Sequence, residues 1–131
     1  MSRSGYSDDL DTWTRIKWRG QVASVIRGKH GQAFLRELIA ALEAMPVKRL
    51  ISGALQTEAG EVCALGALGV HRKIDLTDVD TYDYDELAET FGIRHQLIQE
   101  IEFENDENCF GRTPEQRWQD MHEWALQQLK P

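Results

Sequence analysis

The chain of 131 residues has only two cysteines, Cys63 and Cys109, and three prolines. Two cysteines make no disulfide framework, and in a reducing compartment both are expected as free thiols. No apolar run approaches the roughly 18 residues that cross a bilayer, and the opening "MSRSGYSDDLDTWTRIKWRG" lacks the apolar centre of a signal peptide. The expectation is a cytoplasmic protein with no membrane partner. No phosphate-cradling glycine loop, nucleophile elbow or dinucleotide fingerprint occurs, so the commonest nucleotide and acyl-transfer chemistries lose their signatures. His30, His71, His95 and His122 stand apart from one another and from the cysteines, in no metal-site spacing, and no metal or cofactor is expected. Asp78, Asp80 and Glu89 fall at the first, third and twelfth positions of a calcium loop, but the central glycine is missing and Tyr82 stands where an oxygen ligand belongs.

What is present is the composition of one ordinary domain, 41% hydrophobic and 28% charged, able to bury a single core over residues 1–131, with residues 1–10 expected to be flexible. The charge is divided unequally. Residues 1–50 carry 9 Lys and Arg against 5 Asp and Glu, and residues 51–131 carry 6 against 17, giving +4 and −11 within the net −7. Such halves either attract each other inside one fold, or offer a basic face to an anionic partner or an acidic face that competes for a basic one.

Periodicity and capping predict helices over 11–27, 32–45, 84–91, 93–104 and from Pro114 onward. In the first, Trp13, Ile16, Trp18, Val22, Ala23, Val25 and Ile26 cover more than half of the circumference, so the helix is buried on two sides or buried on one and offered to a partner on the other. "RGKHG" reads as a link, and the helices on either side of it as an antiparallel pair. "RLISGALQTEAGEVCALGALGV" reads as a short hairpin turning at "TEAG" and leading into a helix near Leu65. "DLTDVDTYDYDE" reads as an acidic loop ending in the helix cap Asp83. Gly92 suits the left-handed residue that closes a helix, and Thr113-Pro114-Glu115-Gln116 spells a capping box with proline at the first helical position. The fold class is therefore mainly α, a compact bundle of five or six helices with room for one small β-hairpin around residues 50–64.

Three functional candidates follow. The stretch "ELAETFGIRHQLIQEIE" has the spacing of a helix-turn-helix, and its exposed positions would be Arg94, His95, Gln96, Gln99, Glu100 and Phe103. Only its first turn suits DNA, because Glu100, Glu102, Glu104, Asp106 and Glu107 would face phosphates, and any two helices joined tightly through glycine share the spacing. The candidate contacts for nucleic acid or another anionic partner are Arg15, Lys17, Arg19, Lys29, Arg94 and Gln96. A thiol enzyme would use Cys63, favoured as thiolate at a helix start, with His71 as base. Yet "VCALGALG" surrounds Cys63 with small and aliphatic neighbours, which favours a packed cysteine. The last candidate is a pocket in which Cys63, His71, Asn105 and Asp106 converge, against the plainer role of Asn105 in closing its helix.

"GQAFLREL", "MPVKRLI", "GEVCALGALG", "FGI", "IEFEND" and "TPEQRWQDMHEW", taken together, resemble a group of small proteins carried by phages, prophages and other mobile elements of proteobacteria. The likeness runs from Arg15 to Leu129, and the order "CALGA", "ND", "TP" is more distantly similar to other families of unknown function. It implies a setting and no mechanism. The divided charge, the tryptophans on helices too apolar for solvent and the missing catalytic signatures lead to the expectation of an accessory protein that binds a host protein or protein–nucleic acid complex, a defence component among the candidates, without catalysis. The alternatives are the DNA-binding regulator and the Cys63-dependent enzyme. Trp13, Trp18 and Trp124 are candidates for a self-association surface.

Overall fold

The computed structural model describes residues 3–6 and 11–131, and within them the protein is an all-helical bundle of six helices. These are α1 (Thr12–Arg27), α2 (Lys29–Ala44), α3 (Ala64–His71), α4 (Tyr84–Phe91), α5 (His95–Asp106) and α6 (Pro114–Gln128). Helix α2 lies against α1, α3 and α6, and α5 lies against α1, α3, α4 and α6, so these two helices organise the core. Leu35, Leu38, Leu42, Leu65, Leu68, Leu97, Ile98 and Ile101 are among its fully buried side chains.

The ends of the helices follow local chemistry. Asp11 caps α1 by accepting from Thr14 N–H at 2.7 Å, and Asp83 caps α4 by accepting from Glu86 N–H at 3.0 Å. Gly92 closes α4 at φ 69°, a conformation that costs a residue with Cβ far more than glycine. Thr113 and Gln116 form the reciprocal capping box of α6, with Pro114 in its first turn.

Two sequence expectations need correction. "RGKHG" is no link: Gly28 alone joins the first two helices, donating to Ser24 O and accepting from Gln32 N–H, so α2 begins at Lys29. Gly31 serves close approach and not breakage, since a Cβ there would lie 1.9 Å from Val25 O. The hairpin is reduced to a single antiparallel bridge, Gln56 to Val62, around a turn in which Gly60 N–H donates to Thr57 O. Its chain instead serves α3, because Leu55 O accepts from Cys63 N–H and lies where a Cβ on Gly66 would strike it, at 1.9 Å.

Residues 3–6, expected to be flexible, are docked. Arg3 and Ser4 are buried against α5, Ser4 Oγ donates to Glu107, and Tyr6 Oη donates to Glu100 at 2.8 Å. Their ionic and hydroxyl partners fix them as no apolar pattern could. The rest of the expected flexible stretch, residues 1–2 and 7–10, lies outside the described residues.

Charged groups of the two halves pair with one another, in both directions. Arg3 pairs with Glu102 and Asp106, Arg19 with Glu100, Arg49 with Glu115, Arg72 with Glu37, and His122 lies 3.0 Å from Glu43. Every one of these joins a residue before position 51 to one after it. Arg72 also donates to Phe91 O and lies over the rings of Phe34 and Phe91, which meet edge to face at 6.3 Å.

Candidate functional site

Helix α3 places two contrasting environments at its two ends. At the N-terminal end Cys63 is the cap residue, its Sγ accepting from Gly66 N–H at 3.4 Å. Asn105, fully buried near the end of α5, accepts from Ala64 N–H at 3.1 Å and donates to Ile51 O at 2.9 Å. It also donates to Asp106 at 2.7 Å, and Asp106 takes Gly53 N–H as well. The Arg3 guanidinium closes this polar centre: Nε and Nη2 make a two-pronged contact with Asp106 at 2.6 and 2.9 Å, and Nη1 reaches Thr81 Oγ1 at 3.2 Å and Cys63 Sγ at 3.5 Å. Thr81 in turn donates to Glu102 Oε2 at 3.0 Å.

One guanidinium serves two carboxyls here, Glu102 fully buried and Asp106 half-buried, and their proton affinities separate. Burial pushes Glu102 up to about 8, against the pull of Arg3 and Thr81. Burial also pushes Asp106 up, but the Arg3 fork, Asn105 and Gly53 outweigh it and hold its carboxyl below the usual carboxylate range. For Arg3, burial disfavours the charge, and Cys63, Asp106 and Glu102 more than restore it, so the guanidinium keeps its proton. Asp106 is therefore the stronger acid of the two, and Glu102 holds its proton the more tightly.

The structure therefore brings Cys63, Asn105 and Asp106 together and leaves His71 out. His71 is the last residue of α3, about 12 Å along the axis from the cap at 1.5 Å per residue. The sulfur faces a guanidinium and not an imidazole, and Cys63 is 1% exposed. A dyad of Cys63 with His71 is not assembled. Burial pushes the second thiol, Cys109, up to about 11.

At the C-terminal end of α3, His71 lines an apolar groove of about 430 Å³ between the end of α2, the 46–51 link, the turn near Gly60 and α3. Met45, Val47, Ile51, Val62 and Val70 are among its apolar lining, with Arg49, Glu61 and His71 as its charged or titratable lining. Val47 and Val70 stand 61% and 53% exposed on it.

The candidate anionic-partner residues sit in different surroundings. Lys29 and Arg94 line a second groove, about 640 Å³, where the joint of α1 and α2 meets the turn between α4 and α5. Arg19 is engaged by Glu100 through two contacts of 2.7 and 3.0 Å, and Lys17 lies over the Trp13 ring. Arg15 is exposed on α1, and Gln96 is half-buried on α5. The would-be reading helix is internal: Gln99, Glu100 and Glu102, expected as exposed or phosphate-facing, are all buried. Residues 3–6 and Arg19 cover that face, with Gln99 donating to Ser4 O and Trp18 lying 6.0 Å from His95. Of the three tryptophans considered for self-association, Trp18 and Trp124 pack partly buried on the core, and Trp13 is exposed.

Four residues of the polar centre and its supports escaped the sequence reading: Arg3, Thr81, Glu102 and Arg117. Arg117 is buried and donates to Asn105 O at 3.0 Å and Leu50 O at 3.1 Å, fastening the end of α5 to the link before the hairpin. Its signal was present, because it falls four positions before Met121 and eight before Ala125, on the buried stripe of α6. Arg3 had no comparable signal. Among the described residues no cluster of three or more His, Cys, Asp and Glu is placed to hold a metal ion, and no helix is long and apolar enough to cross a membrane. Comparison with protein families, curated proteins and solved structures gives no match to this chain.

Proposed function

We propose that the protein acts by binding a partner protein in the apolar groove at the C-terminal end of α3, and not by catalysis. The carrying observation is the exposure of Val47 and Val70 along a 430 Å³ groove, in a chain whose buried polar groups are otherwise largely tied to one another. A small polar ligand needs several convergent donors to orient it, and the groove offers few. The apolar side chains of an amphipathic segment need only the wall.

Charge narrows the occupant. Arg49 and Glu61 are the charged lining of the groove, and the Arg49–Glu115 pair is exposed on both sides and so weakly held, which leaves the Arg49 guanidinium at the rim for an anionic group. The fitting occupant is an apolar segment flanked by acidic side chains, on a host protein if the resemblance to mobile-element proteins gives the setting. A defence component and a nucleic-acid enzyme are the candidate hosts. Lysate capture by the wild type, compared with a Val47→Asp, Val70→Asp variant of unchanged melting temperature, tests this. A near-stoichiometric partner lost in the variant is expected; equal recovery by both, or no partner at all, overturns the proposal.

The thiol-enzyme alternative is weakened by the distance between Cys63 and His71. The helix-turn-helix regulator retains only Lys29 and Arg94 on a common groove, since the face of α5 that would read bases is covered. Its test is retention on DNA at about 50 mM salt, reduced by Arg94→Ala.

A further inference from the structure

The polar centre has the form of a receptor with its guest in place. Everything that holds the Arg3 guanidinium comes from elsewhere in the chain: Asp106 and Glu102 from α5, Thr81 from the acidic loop and Cys63 from the cap of α3. These hosts are themselves positioned without residues 3–6. Asn105 and Gly53 orient Asp106, Ala64 N–H and Ile51 O orient Asn105, and Thr81 is fixed on Glu102. The arrangement suits a planar fork and not an ammonium, because two parallel donors meet the two oxygens of Asp106 while a third nitrogen turns to Thr81 and sulfur.

An independent observation marks the same place as a recognition site. Glu102 is completely buried, and its Oε1 has no hydrogen-bond partner among the described residues. A fully buried, half-satisfied carboxyl is costly in a purely structural role, and such groups concentrate where something is bound.

Residues 3–6 carry the guest on a short strap. Tyr84 Oη donates to Arg3 O at 2.6 Å, and Gln99 donates to Ser4 O at 2.9 Å. Gly5 turns at φ 77°, where a Cβ would lie 2.8 Å from Tyr84 Oη. The strap delivers Arg3 to the site, is fastened beside it by Ser4 on Glu107 and Tyr6 on Glu100, and turns tightly at Gly5.

We infer that Asp106, Glu102, Thr81 and the Cys63 sulfur form a guanidinium-binding site, filled by the chain's own Arg3, which accepts an arginine side chain or another alkylguanidinium in trans when Arg3 is absent from it. The site is separate from the groove and its test needs no partner for the groove, so the two proposals fail independently.

The test uses the full chain carrying Arg3→Ala, titrated with N-ethylguanidinium and, separately, with a blocked peptide copying residues 3–6. The expected result is a saturable rise in melting temperature of about 3 °C or more in the variant, with ethylammonium inactive at equal ionic strength and the wild type unmoved. An unmoved variant, equal shifts in variant and wild type, or an equal response to ethylammonium overturns the inference. If Arg3→Ala does not fold alone, recovery of its helical circular dichroism on adding N-ethylguanidinium is the same test, with the same control. In Arg3→Met, which keeps the apolar stem, alkylation of Cys63 is expected to quicken about tenfold or more and to slow again with N-ethylguanidinium; absence of that slowing also overturns it. A peptide active at lower concentration than N-ethylguanidinium identifies a chain-borne arginine as the source, and the reverse order identifies a free guanidino compound.

Discussion

The two ends of α3 lie one short helix apart and obey different rules. Around Cys63 nearly every polar atom has a partner within the chain, and the result is a rigid centre with little exposed surface. Around His71 the wall is aliphatic and Val70 stands exposed. Chemistry-bearing residues thus gather where they neutralise one another, while the surface left unpartnered is the one with little chemistry. A carboxylate beside a thiol is therefore not evidence of a reaction until something shows that they are not already satisfied.

That contrast can be broken most forcefully at Asp106. Asp106→Ala takes the two-pronged acceptor from the buried Arg3 guanidinium and leaves only Glu102 as its carboxyl partner, and the expected loss is about 3–5 kcal/mol in urea unfolding. A loss under about 1 kcal/mol would mean that the centre is wetter and looser than its geometry states. Next comes Gly66→Ala, whose new Cβ meets Leu55 O at 1.9 Å. Backbone has to move, and a cost of about 1–3 kcal/mol is expected, with perturbed amide signals from Leu55 through Cys63 in NMR spectra.

Glu102 sharpens the comparison through pH. Its folded affinity for the proton, about 8, exceeds the ordinary 4.5, so its stabilising contribution is complete below about pH 4.5 and disappears as pH rises through about 8. Asp106 runs the other way: its carboxyl is held below 3.8, so its contribution is present above that value and is lost as pH falls further. The wild type is expected to lose on the order of 1 kcal/mol or more between pH 5 and pH 8, and Glu102→Gln to flatten that slope. An unchanged slope in the variant would place the titration elsewhere. The smallest effect belongs to the other end of α3. Val70→Asp is expected to change stability by less than about 0.5 kcal/mol, because the side chain is already half in water, while abolishing capture of the groove's partner. A large destabilisation would show that Val70 is part of the core.

The elements that sequence reading located best are those specified by a few adjacent residues. The caps at Asp83 and Thr113, the closure at Gly92 and the turn before α3 all depend on side chains within four positions of the backbone they satisfy. Long-range ionic burial has no such local signature. Glu100 and Glu102 were read as solvent-facing because their usual partner is water, and only the fold supplies Arg19, Tyr6, Thr81 and Arg3 in its place. Arg117 was legible in principle from its register with Met121, yet an arginine on a buried stripe reads as an interruption until Asn105 O and Leu50 O are found at its tip. The groove was invisible for the opposite reason, since its residues come from four separated segments that are each unremarkable.

Arg3 and Asp106 stand 103 positions apart, and Lys130 N–H reaches Gln32 across 98. Helices form in microseconds from neighbours, but a clasp of this span waits for all the intervening residues to be synthesised and to collapse. During translation the emerging half is cationic and its anionic counterpart is still unmade, so the earliest compact species is expected to carry an open seam along α5 that closes last and, under strain, opens first.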